Sequence, residues 1–95
     1  MEMNNVYNIL TSYGLSNEEI DEIIDFCPAL DIVDAERILK NIAILEQFGY
    51  PSEDMDTYIL TNPKFLIYAP QELIKKLSSL GGDIEEKLKN NPYLI

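Results

Sequence analysis

The sequence contains no histidine, no tryptophan and a single cysteine. Without histidine, the residue that titrates nearest neutral pH is missing, and Ser-His-Asp or Cys-His catalysis is excluded. One thiol, Cys27, forms no internal disulfide and builds no thiolate zinc site. No Asp-x-Asp-x-Asp-Gly loop offers a calcium cage, so neither a metal nor a cofactor is expected. Long apolar runs are also missing. The longest, Phe65-Leu66-Ile67-Tyr68-Ala69, falls far short of the roughly 18 residues of a membrane span. Positive charge is scarce: seven basic residues face seventeen acidic ones, for a net charge of −10. That balance disfavours phosphate binding by the molecule as a whole. The opening residues, Met1-Glu2-Met3-Asn4-Asn5, lack the basic and apolar regions of a secretory signal and the arginines of a mitochondrial import sequence. A cytoplasmic location is expected.

What remains is an ordinary globular composition, 46% hydrophobic and 25% charged over 95 residues, which fits one small domain spanning 1–95. The chain matches itself when slid by 35 residues. Ile9-Leu10 falls on Ile44-Leu45, Tyr13-Gly14 on Phe48-Gly49, Ile24 on Ile59, Pro28 on Pro63 and Lys40 on Lys75, with no gap. A shorter third copy runs through Leu77-Ser78-Ser79-Leu80-Gly81 to Asn91-Pro92-Tyr93-Leu94. The repeats cover about 4–35, 36–70 and 71–95.

Each copy reads as helix, glycine stop, helix, proline stop. Val6, Ile9, Leu10 and Tyr13 recur at helical spacing, as do Ile38, Leu39, Ile42, Leu45 and Phe48, and Leu73, Ile74, Leu77 and Leu80. Gly14, Gly49 and Gly81 stand where a left-handed cap closes a helix. Ser16 with Glu19 spells a capping box, Asp83 with Glu86 has similar spacing, and Ser52 is a candidate N-cap. Pro28, Pro63 and Pro92 disfavour helix in the residue before them. The short apolar pieces after these prolines suit single 3₁₀ turns packed into the core. Asp34 and Pro70 then open the next helices. The expected fold is all-α: a short right-handed or curved α-solenoid of about two and a half helix–helix–3₁₀ repeats.

This pattern resembles the mitochondrial transcription termination factor (mTERF) repeat family. The resemblance lies in Pro63 followed by Leu66, Leu73 and Leu80 at heptad steps, and in the Leu-x-x-x-Gly endings at Leu10, Leu45 and Leu77. Copy one departs from it, with Asp31 at the first heptad position ahead of Ile38 and Leu45. The resemblance implies a solenoid that binds nucleic acid along a basic concave face. It assigns no phosphate-contacting residue here, because no family position specific enough to match one is visible.

Charge is unevenly placed. Residues 1–36 hold nine acids and no base, whereas residues 64–95 hold five lysines against four acids. Glu18, Asp21, Glu22 and Asp25 fall at three- and four-residue steps on one helix face, with Glu19 beside them. They read either as a solvated face or as a docking patch for a basic protein partner. Tyr50, Tyr68 and Tyr93 sit at turns and are candidate aromatic contacts, while Tyr13 and Tyr58 are expected in the core. Cys27 is expected to be buried as a small apolar residue. Under the alternative, a small transcription-related nucleic-acid-binding protein, the contacts come from Arg37, Lys40, Lys75, Lys76 and Lys87. That reading requires them to converge on one stripe. The terminal Tyr93-Leu94-Ile95 either folds back or leaves an apolar patch, so a monomer or a weak dimer through that end is expected. The leading expectation is a non-enzymatic repeat module, not membrane-bound, whose acidic amino-terminal surface binds a basic protein.

Overall fold

Glycines that accept a positive φ and prolines that refuse further helix divide the chain into its elements. The computed structural model describes residues 5–95. The expectations placed on Met1 to Asn4, including the missing signal and the start of repeat one, lie outside the described residues. The elements are α1 (Val6–Ser12), α2 (Asn17–Phe26), a 3₁₀ turn η1 (Pro28–Asp31), α3 (Ala35–Gln47), η2 (Ser52–Asp54), α4 (Met55–Thr61), η3 (Pro63–Ile67), α5 (Pro70–Ser79), α6 (Ile84–Asn90) and η4 (Pro92–Leu94). There is no strand among the described residues, and the fold is the expected all-α solenoid. The first helices form one row, α1 on α3 and α3 on α5, and η1 packs on η3. The stack measures 40 × 23 × 21 Å.

The helix ends follow from local chemistry. Gly14 and Gly49 adopt φ of +102° and +112°, a region closed to most residues with a Cβ. Each completes a Schellman cap, in which Leu15 N–H donates to Leu10 O and Tyr50 N–H donates to Leu45 O, both at 3.2 Å. Such caps bring the residue after the glycine against the helix, which is why Leu15 and Tyr50 are buried. Ser16 and Glu19 form the full capping box at 3.1 and 2.9 Å. Asp34 and Asp83 cap α3 and α6. Cys27, Asn62 and Asn91 end the second helices just before their prolines.

Three local expectations need correction. Ser52 caps no α-helix: it opens η2 after Pro51, and α4 starts only at Met55. Leu39 and Ile74, assigned to apolar stripes, are exposed at 41% and 42%. In α3 the inward positions are Ile38, Asn41, Ile42, Ile44 and Leu45, so a buried asparagine and Ile44 lie inward instead. Cys27 is only half-buried at the core edge.

The core runs the length of the stack, with Leu10, Ile20, Ile38, Leu45, Tyr58, Phe65, Leu73 and Leu88 fully enclosed or nearly so. Among the described residues its buried polar side chains are Asn41 and Asn62. Asn41 Nδ2 faces the carbonyls of Phe65, Leu66 and Tyr68 at 3.0, 3.2 and 2.8 Å and so holds η3 against α3. Asn62 Nδ2 faces Pro92 O at 3.1 Å and Ile95 O at 3.4 Å, and Tyr58 Oη donates to Pro92 O at 2.6 Å. Buried carbonyls at a sharp turn need donors, and these side chains supply them. Ile95 is buried with this group, whereas Tyr93 and Leu94 are exposed.

Candidate partner-binding surfaces

The acidic face is built by α2. Its capping box fixes the start of the helix, and Ile20 and Ile23 turn its apolar side to the core. Glu18, Asp21, Glu22 and Asp25 are consequently all exposed. Glu19 does not belong to the surface: it is half-buried, and its carboxylate accepts from Ser16 N–H. Asp21 accepts a hydrogen bond from the Tyr7 hydroxyl, which holds that phenol's pKa above its usual value. Among the described residues the ion pairs are those of Lys89, with Asp54 at 2.7 Å and Glu85 at 2.9 Å. Glu18, Glu22 and Asp25 therefore present their charge to solvent without a cationic partner.

The candidate cations make separate contacts. Arg37 Nη1 donates to Ile67 O at 3.2 Å, and Lys76 Nζ lies 5.5 Å from the centre of the Tyr68 ring. Arg37 and Lys40 line one open groove beside Pro70. Three candidates thus gather round the junction of η3 and α5. Asp34 and Glu36 line the same groove, and Glu72 is close enough to Tyr68 to raise its pKa after the larger effect of burial. Three positive charges meet three negative ones there. Lys87 donates to Leu80 O at 2.6 Å at the end of α5. Lys75 is exposed on α5, and no contact joins it to the others.

The turn tyrosines separate. Tyr50 is not an exposed contact: it is 4% exposed, drawn in by the Schellman cap and tilted against Tyr58 with ring centres 5.3 Å apart. Its counterpart in copy one is Leu15, a core residue, and that correspondence was the sequence signal for burial. Tyr68 is half-buried beneath Lys76. Tyr93 is exposed, its hydroxyl donating to Thr61 O at 3.4 Å. Tyr58 is core as expected, and burial pushes its phenol up to about 12. Tyr13 is half-buried.

Composition gave no sign of a groove of about 280 Å³, where the ends of α2 and α4 meet η4. Phe26, Leu60, Pro63 and Tyr93 form its walls and Glu22 its rim. Phe26 is 75% exposed and Tyr93 65%. The repeat register carried the signal. Phe26 corresponds to Thr61, and Leu60 to Asp25, so each hydrophobe occupies a position that its sister copy fills with a polar residue. A wider concavity of about 670 Å³ involves Tyr7, Asp31, Asp34 and Glu36, next to Asn5 where the described residues begin. No group of three or more His, Cys, Asp or Glu among the described residues is placed to hold a metal. No helix among them is long and apolar enough to cross a membrane.

First helices stacked in one row, a second helix in each copy and a proline-started 3₁₀ turn closing it define an α-helical repeat protein. The mTERF family model matches residues 2–91, and the chain belongs to the mTERF family. Searches of curated proteins and of solved structures return no match.

Proposed function

We propose that this protein is a non-enzymatic repeat module whose acidic α2 face receives a basic segment of a protein partner. One observation carries the reading: four of the seven cations are engaged within the chain, whereas Glu18, Glu22 and Asp25 of α2 have no cationic partner among the described residues. Arg37, Lys76, Lys87 and Lys89 each contact a carbonyl, a ring or a carboxylate of the same chain. Glu18, Glu22 and Asp25 stand exposed on a stretch that contains no base before Arg37. Such a one-signed face speeds encounter with a cationic partner and repels polyphosphate.

Membership of the mTERF family supports a second reading, nucleic-acid binding through the η3–α5 junction with Lys75 alongside. The interleaved Asp34, Glu36 and Glu72 weigh against it, because neutralising even about six phosphates needs as many well-placed cations. The two readings separate by anisotropy with a labelled Lys-rich peptide and with labelled mixed-sequence DNA and RNA. Replacing Glu18→Gln, Glu22→Gln and Asp25→Asn together is expected to weaken peptide binding about tenfold at low salt, and less at high salt. Peptide affinity indifferent to this triple variant, with nucleic-acid binding abolished by Lys75→Glu and Lys76→Glu, would transfer the function to the other surface.

A further inference from the structure

The acidic face does not end in solvent. Glu18, Glu22 and Phe26 follow one another at i, i+4 and i+8 along α2, so the charged stripe runs into an exposed aromatic ring. That ring is one wall of the groove closed by Leu60, Pro63 and Tyr93. Resting on the reading of α2 as a surface for basic protein segments, we propose that this groove receives the apolar anchor of that segment. The ligand is an amphipathic peptide, one face lysine and arginine, the other carrying a leucine or phenylalanine that inserts between Phe26 and Tyr93.

Size, solvation and charge agree on this occupant. At about 280 Å³ the groove lies just under the range of small-molecule sites, roughly 300–1,000 Å³, and suits one or two side chains rather than a cofactor. Large apolar side chains held in water around a concavity are a feature of protein-interaction surfaces. Glu22 on the rim and Asp25 beside Phe26 place negative charge where residues flanking the anchor would lie. No cation is among the residues that line the groove. A second copy of this chain is a poor occupant, because each copy carries a net charge of −10 and the α2 carboxylates would lie near the partner's acidic surface. Nucleic acid would meet the same carboxylates.

The test uses the intact protein, isotopically labelled for amide NMR, and three synthetic peptides: a Lys/Leu amphipathic helix, the same peptide with serine for leucine, and a Glu/Leu version. The Lys/Leu peptide is expected to shift amides of Phe26, Leu60 and Tyr93 together with those of Glu18 and Glu22. The serine peptide is expected to shift the α2 amides alone, and the Glu/Leu peptide none. Phe26→Ala with Leu60→Ala is expected to weaken Lys/Leu binding about tenfold and to leave serine-peptide binding unchanged. Phe26 is 75% exposed and Leu60 37%, and neither belongs to the buried core, so the double variant is expected to stay folded, which urea unfolding checks first. If Lys/Leu affinity survives the double variant but falls with the α2 charge variant, the groove is not the anchor site while the acidic-face reading stands. If neither variant alters Lys/Leu binding, or single-stranded RNA shifts the groove amides and the peptide does not, the reading and the anchor proposal both fall.

Discussion

Copies one and two of the repeat share a register without a gap, yet they secure their turns differently. In copy two, η3 buries Pro63, Phe65 and Leu66, and Asn41 ties its carbonyls to α3. In copy one, η1 buries only Leu30, and Ile32 just beyond it is 85% exposed. The position equivalent to Asn41 is Val6, which has no donor to offer. A second contrast repeats the first. Asn62 and Tyr58 link copy two to η4 through hydrogen bonds, whereas their equivalents Cys27 and Ile23 give copy one an apolar edge. Polar anchoring of the turns is concentrated in the second and third copies, and acidic charge without a base in the first. The family scaffold is therefore best secured away from the surface proposed for binding.

The largest expected breach of this comparison comes from the turn residues themselves. Phe65→Ala should cost about 3–5 kcal/mol in urea unfolding, near the top of the range for core truncations. Leu30→Ala, its counterpart, should cost less, about 2–3 kcal/mol. Equal losses would mean that the two turns are secured alike. Next comes Asn41→Val, which installs the copy-one residue in copy two. It should cost about 1–3 kcal/mol by leaving buried carbonyls short of donors. An unchanged stability would dismiss the polar anchor.

Tyr58→Phe removes one donor to Pro92 O and should cost about 1 kcal/mol. It should also flatten the alkaline limb of stability. The folded phenol titrates near 12 against an ordinary 10.0, so the folded state holds this proton more tightly than the unfolded state does. Its contribution is complete below pH 10.0 and is lost as pH rises to about 12. Urea midpoints measured across that window should fall more steeply for the parent than for the variant. The smallest effect should come from Lys89→Ala. Although Asp54 and then Glu85 raise the pKa of Lys89, all three groups are substantially exposed and screened by water, and urea unfolding should barely move.

The elements were legible in the sequence because their punctuation is covalent: positive-φ glycines, pre-proline stops and side-chain caps act over a few residues. What escaped depended on packing between copies. Asn41 lies between Lys40 and Ile42 and looks like a surface residue until η3 brings its carbonyls against α3. Tyr50 was placed at a wet turn because the cap that buries it needs both the glycine and the preceding helix. The acidic face was readable from spacing alone, apart from Glu19, which the capping box occupies. The partners of the cations were not readable, since only the fold decides which carbonyl, ring or carboxylate each one meets.

The central claim, that the family scaffold here carries a surface for cationic protein rather than for phosphate, is tested most directly by parallel low-salt titrations of the intact protein. One uses the labelled Lys/Leu peptide, the other labelled mixed-sequence single- and double-stranded nucleic acid. Saturable peptide binding that weakens with salt and with loss of the α2 charges is expected, with no nucleic-acid binding at about 50 mM salt. Nucleic-acid binding with a steep salt dependence, alongside a peptide that fails to bind, would contradict it.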